Sequence, residues 1–175
     1  MHKYQRLARN ALDKLASKED SKIIALLGAR QVGKTWLLKE FGQNEYEKTA
    51  YFNFEEDPML NDFFQNKIDP KKIIQNLSLY QKWDIEPDKH FIIFDEIQQS
   101  NSALNSLKYF CEEANEYHIA SAGSLLGIKL SSDKSFPVGK VNFIELYPLT
   151  FLEFLDALDE SKLKDLIIKT KSFTP

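Results

Sequence analysis

Cysteine is nearly absent from this sequence. Cys111 is the only one in 175 residues, so no internal disulfide is possible. It falls on the apolar face of a predicted helix, the setting of a core residue and not of a reactive thiol. His2, His90 and His118 are scattered, and no Cys or His spacing forms a zinc site. No apolar run approaches the roughly 20 residues that span a bilayer. Met1-His2-Lys3-Tyr4 leads into a charged amphipathic segment instead of a signal-peptide core, so the chain reads as cytoplasmic, with no membrane partner. Excess positive charge is missing as well. Lys and Arg number 23 against 26 Asp and Glu, a net charge of -3, and this lacks the basic footprint of a dedicated nucleic-acid binder. Arginine is confined to Arg6, Arg9 and Arg30.

What is present is an alternation of apolar runs and amphipathic stripes. Tyr4, Leu7, Ala8, Ala11, Leu12 and Leu15 follow helical spacing. Ile23 to Leu27 is a short, wholly apolar run, as suits a strand buried on both faces of a parallel sheet. A helix with Leu37, Leu38 and Phe41 inward follows, and Gly42 is placed to end it. Tyr51 to Phe54, Phe91 to Phe94, His118 to Ala122 and Val141 to Leu146 read as four more strands. Asp57-Pro58 and Asp69-Pro70 each set an N-cap before a proline at the first helical position. The helix after Asp57 turns Met59, Leu60, Phe63 and Phe64 inward; the one after Asp69 uses Ile73, Ile74 and Leu77. Ser100 to Ser102 cap a helix carrying Leu104, Leu107, Phe110 and Cys111. Thr150 and Glu153 form a capping box before Phe151, Leu152 and Leu155. Phe63, Phe64, Trp36 and Trp83 are the prominent aromatics; most are expected in the core, with an exposed subset marking an interface, and the loop from Lys129 to Gly139 is expected to be mobile. The fold class is α/β, a parallel sheet covered by helices on both faces. The expected organisation is an N-terminal helix over residues 1–20, a core over 21–160, and the start of a following segment over 161–175. The stripe of Leu163, Leu166 and Ile167 has little left to pack against, which predicts a piece of a longer protein.

Gly28-Ala29-Arg30-Gln31-Val32-Gly33-Lys34-Thr35 fits G-x-x-x-x-G-K-[ST] in full, between a predicted strand and a predicted helix. Each position has a chemical reason. A triphosphate is a dense anion, and a glycine-containing loop wraps it with backbone N–H groups. The following helix points its positive end at the phosphates. Lys34 reaches the β and γ oxygens, and Thr35 offers a hydroxyl to Mg²⁺. Gly28 to Thr35 and the adjoining Trp36 are therefore the candidate nucleotide-binding residues, with ATP or ADP and Mg as ligands.

Phe91 to Phe94 runs straight into Asp95-Glu96, which puts two acids at the C-terminal end of a buried strand. Ligands of open parallel sheets bind outside those ends. Asp95 joins Thr35 as a metal-site residue, and Glu96 is placed to orient or deprotonate an attacking water. Asp95-Glu96-Ile97-Gln98 lacks the glycine of the GTPase D-x-x-G pattern. Asn66-Lys67-Ile68-Asp69 matches N-K-x-D but precedes the acidic strand, and Asp69 is accounted for as a helix cap. Adenine is favoured over guanine, although no residue reads adenine directly.

The P-loop, Tyr51-Phe52-Asn53-Phe54-Glu55, Asp95-Glu96-Ile97-Gln98, Gly123-Ser124 and Tyr147-Pro148-Leu149-Thr150-Phe151-Leu152-Glu153-Phe154 occur in that order. Together they resemble the AAA+-type P-loop ATPase core of bacterial and archaeal ATP-binding proteins, over nearly the whole chain. The resemblance implies a P-loop NTPase three-layer sandwich, with five strands in the order 5-1-4-3-2. It implies a polar sensor after the fourth strand, where Ser124 matches and Ser121 is the weaker candidate. It also implies a C-terminal domain of unknown function, often considered nuclease-like, beyond this chain. Gly139-Lys140 stands where the family has Gly-Arg. An arginine finger would then come from Arg6, Arg9, the missing region or another chain, or be absent, and slow hydrolysis is expected.

Three functions fit these residues. An ATPase with Lys34, Glu96 and Ser124 as catalytic groups would couple hydrolysis to motion of an attached domain or partner. A nucleotide-dependent switch would hold its ligand with little intrinsic hydrolysis. A small-molecule kinase would need an acceptor pocket and lid, neither of which is identifiable. A homo-oligomer is open by kinship, and a nucleic acid or a protein as the substrate is equally open.

Overall fold

In the computed structural model the described residues are 7–17, 23–65, 68–124 and 141–171. The loop expected to be mobile, Lys140, Arg6 and Tyr4 lie outside them. Five strands, β1 (Ile23–Leu27), β2 (Lys48–Asn53), β3 (His90–Asp95), β4 (His118–Gly123) and β5 (Val141–Glu145), pair in parallel in the order β2-β3-β4-β1-β5. Read from the other edge, this is the expected 5-1-4-3-2.

The apolar runs serve two helix layers at once because side chains alternate along a strand. Ile24 and Leu26 face one cluster, with Leu12 and Leu15 of α1 (Leu7–Ala16) and Leu37, Leu38 and Phe41 of α2 (Lys34–Glu45). Ile23 and Ala25 face the other, with Ile73 and Leu77 of α3 (Pro70–Gln81) and Leu104, Leu107 and Phe110 of α4 (Asn101–Glu113). Burying each such Leu, Ile or Phe is worth about 1.5–3 kcal/mol, so the strands are anchored from both sides. Half-buried Cys111 packs against the second cluster, in the expected core role.

Most caps form as the sequence specifies. Asp57, Asp69 and Ser100 accept hydrogen bonds from first-turn amides, and Thr150 with Glu153 makes a complete capping box. Three expectations need correction. Residues 58–64 form a 3-10 helix, a tighter spiral than the α-helix the stripe assumes. Leu60 and Phe64 are buried, whereas Met59 is 69% exposed. Gly42 does not end its helix: α2 runs on to Glu45, and Gly42 sits buried against β2 and β3. Phe151 is exposed although it lies in the stripe of α5 (Phe151–Ala157); only Leu155 of that helix is buried. Exposed Leu163 and Leu166 on α6 (Ser161–Lys171) agree with the expected shortage of packing partners. Among the described residues no helix is long and apolar enough to cross a membrane.

Candidate functional site: a phosphate loop facing an acidic strand end

The loop after β1 is shaped by backbone that few side chains tolerate. Gly28 has φ 144°, and a Cβ there would stand 2.2 Å from the Leu146 carbonyl oxygen. That carbonyl is fixed because the Leu146 N–H donates to Leu27 O at 2.7 Å. Only glycine fits where the end of β5 meets the end of β1. Gly33 has φ 92°, and Gln31 adopts φ 66° without being glycine, the kind of strain that clusters at ligand clamps. Helix α2 begins on Gly33 with no side-chain cap, whereas α3, α4 and α5 each have one. Its first-turn amides and positive dipole end are thus left for an anion.

Lys34 is buried, and its Nζ donates to Gly28 O and Ala29 O at 2.8 Å each. Burial lowers its pKa from the ordinary lysine value; the Glu96 and Asp95 carboxylates oppose that shift, and Arg30 adds to it. Thr35 donates through Oγ1 to Asp95 Oδ2 at 2.7 Å. Tyr51 donates to the same oxygen at 2.9 Å, and Asp95 Oδ1 accepts from the Glu96 N–H at 3.0 Å. Three donors thus hold the Asp95 carboxylate. Burial, with Asp95 close by, pushes the Tyr51 phenol well above its ordinary range, so it stays a donor. Glu96 itself sits in the left-handed region at φ 48°, and its Oε2 accepts a very short hydrogen bond from Gln98 Nε2.

Two adjoining cavities meet at this loop. One, of about 420 Å³, is lined by Arg30, Gln31, Gly33, Lys34, Thr35, Trp36, Glu55 and Glu96. The other, of about 480 Å³, is mostly apolar and is walled by Val32, Trp36, Leu37, Pro148 and Leu149 beside Ala29 to Gln31. Both lie in the range of small-ligand sites. Trp36, the candidate that adjoins the loop, is 56% exposed and borders both.

The structure brings together the P-loop, Asp95 and Glu96 as the sequence placed them. Ser124 follows Gly123, whose register partner is Leu27, so it stands at the same sheet end but lines neither cavity. Ser121 is fully buried, with a long 3.5 Å contact to Ile24 O, which suits a packing role. Arg9 is committed elsewhere: its guanidinium pairs with Asp13, Glu40 and Glu45 and lies 4.9 Å from the Phe41 ring. Sequence reasoning gave no role to Tyr51, Glu55, Gln98, Pro148 or Leu149. All five stand in the motifs that carried the resemblance, so the signal was present without a function attached.

Comparison with known proteins agrees with this geometry. A family model described as "AAA domain" matches residues 20–155. An uncharacterized protein of Methanocaldococcus jannaschii is 24% identical over 165 residues, which is 91% of this chain and 33% of that protein. Among solved structures, a chain of Drosophila ORC bound to DNA superposes with TM-score 0.57 and 17% identity, covering 95% of this chain and 50% of that one. Aeropyrum pernix ORC1 in complex with DNA gives TM-score 0.54 and 13% identity, covering 90% and 48%. The chain thus spans about a third to a half of the proteins it matches. These likenesses fix the fold as the nucleotide-binding P-loop core of AAA+ proteins. With most of its length matched by one family model, the chain belongs to the AAA domain family.

Proposed function

We propose that the chain binds ATP with Mg²⁺ and hydrolyses it slowly, coupling nucleotide state to an attached domain or partner. The observation that carries this reading is the convergence of Lys34, Thr35 and Glu96 on one cavity, with Asp95 2.7 Å behind Thr35. The base lies in the apolar cavity against Trp36, Pro148 and Leu149, and the phosphates lie along the α2 amides. The Thr35 hydroxyl and the Asp95 carboxylate are hard oxygen donors, the type Mg²⁺ takes. An ion held by these two oxygens would supply charge neutralisation at the phosphate oxygens. Lys34 contributes a second positive group, and Glu96 takes the water proton once its carboxylate leaves Gln98.

Two observations favour slow turnover and support the switch as the alternative reading. Arg9 is tied into three ion pairs, so it is not poised as a finger, and Glu96 is held by Gln98. The small-molecule kinase has no such support. Residues 161–171 fit the start of a following segment, and the possible homo-oligomer belongs to the same proposal as a source of the arginine.

The test is phosphate release from ATP by the purified chain, with and without Mg²⁺, beside Lys34→Ala and Glu96→Gln. Mg-dependent release lost in both variants is the expected result. A rate above about 1 s⁻¹ without a partner would refute the slow, finger-less site. Binding without any release would favour the switch. Loss of both would sink the nucleotide reading.

A further inference from the structure

The phosphate cavity contains an ion pair that neither the phosphate loop nor the acidic strand requires. Arg30, in the variable part of the loop, donates through Nη2 to Glu55 Oε1 at 3.0 Å. Both side chains line the cavity that holds Lys34, Thr35 and Glu96. Glu55 is aimed there by a local device. Asn53, which ends β2 opposite Asp95, accepts the Glu55 and Glu56 amides on Oδ1 at 2.9 and 3.2 Å. The turn just after the sheet edge is thereby fixed, and Glu55 is carried toward the loop.

We infer that Arg30 and Glu55 form a latch that distinguishes nucleoside triphosphate from diphosphate, Arg30 leaving Glu55 to pair with the terminal phosphate. This rests on the nucleotide-binding reading and deepens it. The pair is exposed, 65% and 47% at the two side chains, and exposed pairs are only weakly held. A phosphate offers the guanidinium two charge-assisted, parallel hydrogen bonds, a stronger match than a single contact to a carboxylate. Lys34 and Thr35 mark where β- and γ-phosphates sit, so a terminal phosphate enters beside Glu55 and Glu96. Two carboxylates repel it, and the Arg30 guanidinium offsets them. A diphosphate places no such charge there, and Arg30 stays with Glu55. Among the described arginines Arg30 lines this cavity while Arg9 is fixed against α2, so the discrimination falls to Arg30.

The experiment is calorimetric titration of the chain with Mg-ADP and with a non-hydrolysable Mg-triphosphate. In Arg30→Ala the ratio of triphosphate to ADP affinity should fall about tenfold, roughly the one charge-assisted hydrogen bond by which a phosphate outmatches the single contact to Glu55. Arg30→Lys should fall between, because a point charge replaces the fork. Glu55→Gln should tighten the triphosphate several-fold, and by less in an Arg30→Ala background, where relief of repulsion remains but there is no guanidinium to release. Equal loss for both nucleotides, or an unchanged ratio, would overturn the latch while leaving nucleotide binding intact. No binding of either nucleotide by the unmodified chain would overturn both readings together.

Discussion

Replacing Gly42 by alanine sets two well-known effects against each other, and the structure decides the sign. Glycine inside a helix costs about 1 kcal/mol relative to alanine, so propensity alone expects Gly42→Ala to stabilise α2. The packing says otherwise. A Cβ at position 42 would lie 2.3 Å from Thr49 Oγ1, 3.1 Å from Thr49 Cγ2 and 2.9 Å from Phe91 Cδ1. Carbon contacts settle near 3.5–4.0 Å, so something must move by more than half an ångström. Phe91 is fully buried between Phe41 and Tyr46, with ring centroids 5.3 and 5.0 Å away, and has nowhere to go. Thr49 is β-branched and stiff at χ1. Overpacking of this kind costs about 1–3 kcal/mol, and these contacts sit at the upper end. The net expectation is destabilisation by about 1–2 kcal/mol, a midpoint lower by roughly 3–6 °C in a chain of this size. Thermal unfolding followed by circular dichroism reads it directly. Thr49→Ala removes two of the three clashing atoms. Thr49 Oγ1 is buried with no hydrogen-bond partner among the described residues, so its loss costs little in hydrogen bonding. In that background Gly42→Ala should recover most of its deficit. A single Gly42→Ala variant that melts higher than the unmodified chain would refute the packing argument and restore the propensity one.

Two further outcomes follow from side chains outside the phosphate loop. Tyr51→Phe removes one of the two hydroxyl donors on Asp95 Oδ2 but keeps the ring beneath the Lys39 ammonium, 3.5 Å from its centroid. Partners behind a metal ligand are worth 10-fold or more in metal affinity, so the Mg²⁺ needed for half-maximal nucleotide binding should rise about tenfold. Affinity in EDTA should stay as it was; superimposable Mg²⁺ titrations would show that Tyr51 does not position Asp95. Arg9→Met leaves Asp13, Glu40 and Glu45 close together without their shared cation. Stability measured by urea unfolding should fall by about 1–3 kcal/mol, between the values for exposed and buried pairs. Nucleotide affinity should not change, whereas its loss would place Arg9 in the site.

The sheet was legible because buried parallel strands write themselves as apolar runs, and Ile23–Leu27 and Phe91–Phe94 have no competing reading. The caps were legible for a similar reason. Asp69 before Pro70, or Thr150 three residues ahead of Glu153, is a local pattern whose hydrogen bonds close within one turn. Gly42 was misread because a glycine late in a helical stripe fits a C-cap as well as a packing contact. Only the position of Thr49 and Phe91, brought in by β2 and β3, separates the two. Met59 failed in a related way. Its residue type fitted an inward face, but the 3-10 geometry that turns it outward depends on Leu60 and Phe64 docking on the α3/α4 side. In each case the deciding atoms were distant in sequence.

The site divides along the same line. Gly28 to Thr35 is legible because a loop that wraps phosphates must use its own consecutive amides, which compresses the requirement into one stretch of chain. The groups that tune it have no such constraint. Arg30 and Glu55 are 25 residues apart, and Tyr51 and Asp95 are 44 apart. They meet because β2 pairs with β3 in one register, Asn53 opposite Asp95, and β1 delivers the loop two strands away. The left-handed backbone at Gln31 and Glu96 belongs to this second class. Neither residue type advertises a positive φ, and each conformation costs on the order of 1–3 kcal/mol unless its surroundings compensate. Gln31 lies on the loop and Glu96 beside Asp95, both bordering the same cavity. The fold therefore spends stability at the two points that the proposed function assigns to phosphate and to water, and nowhere else along the cavity wall does a non-glycine residue adopt a positive φ among those described.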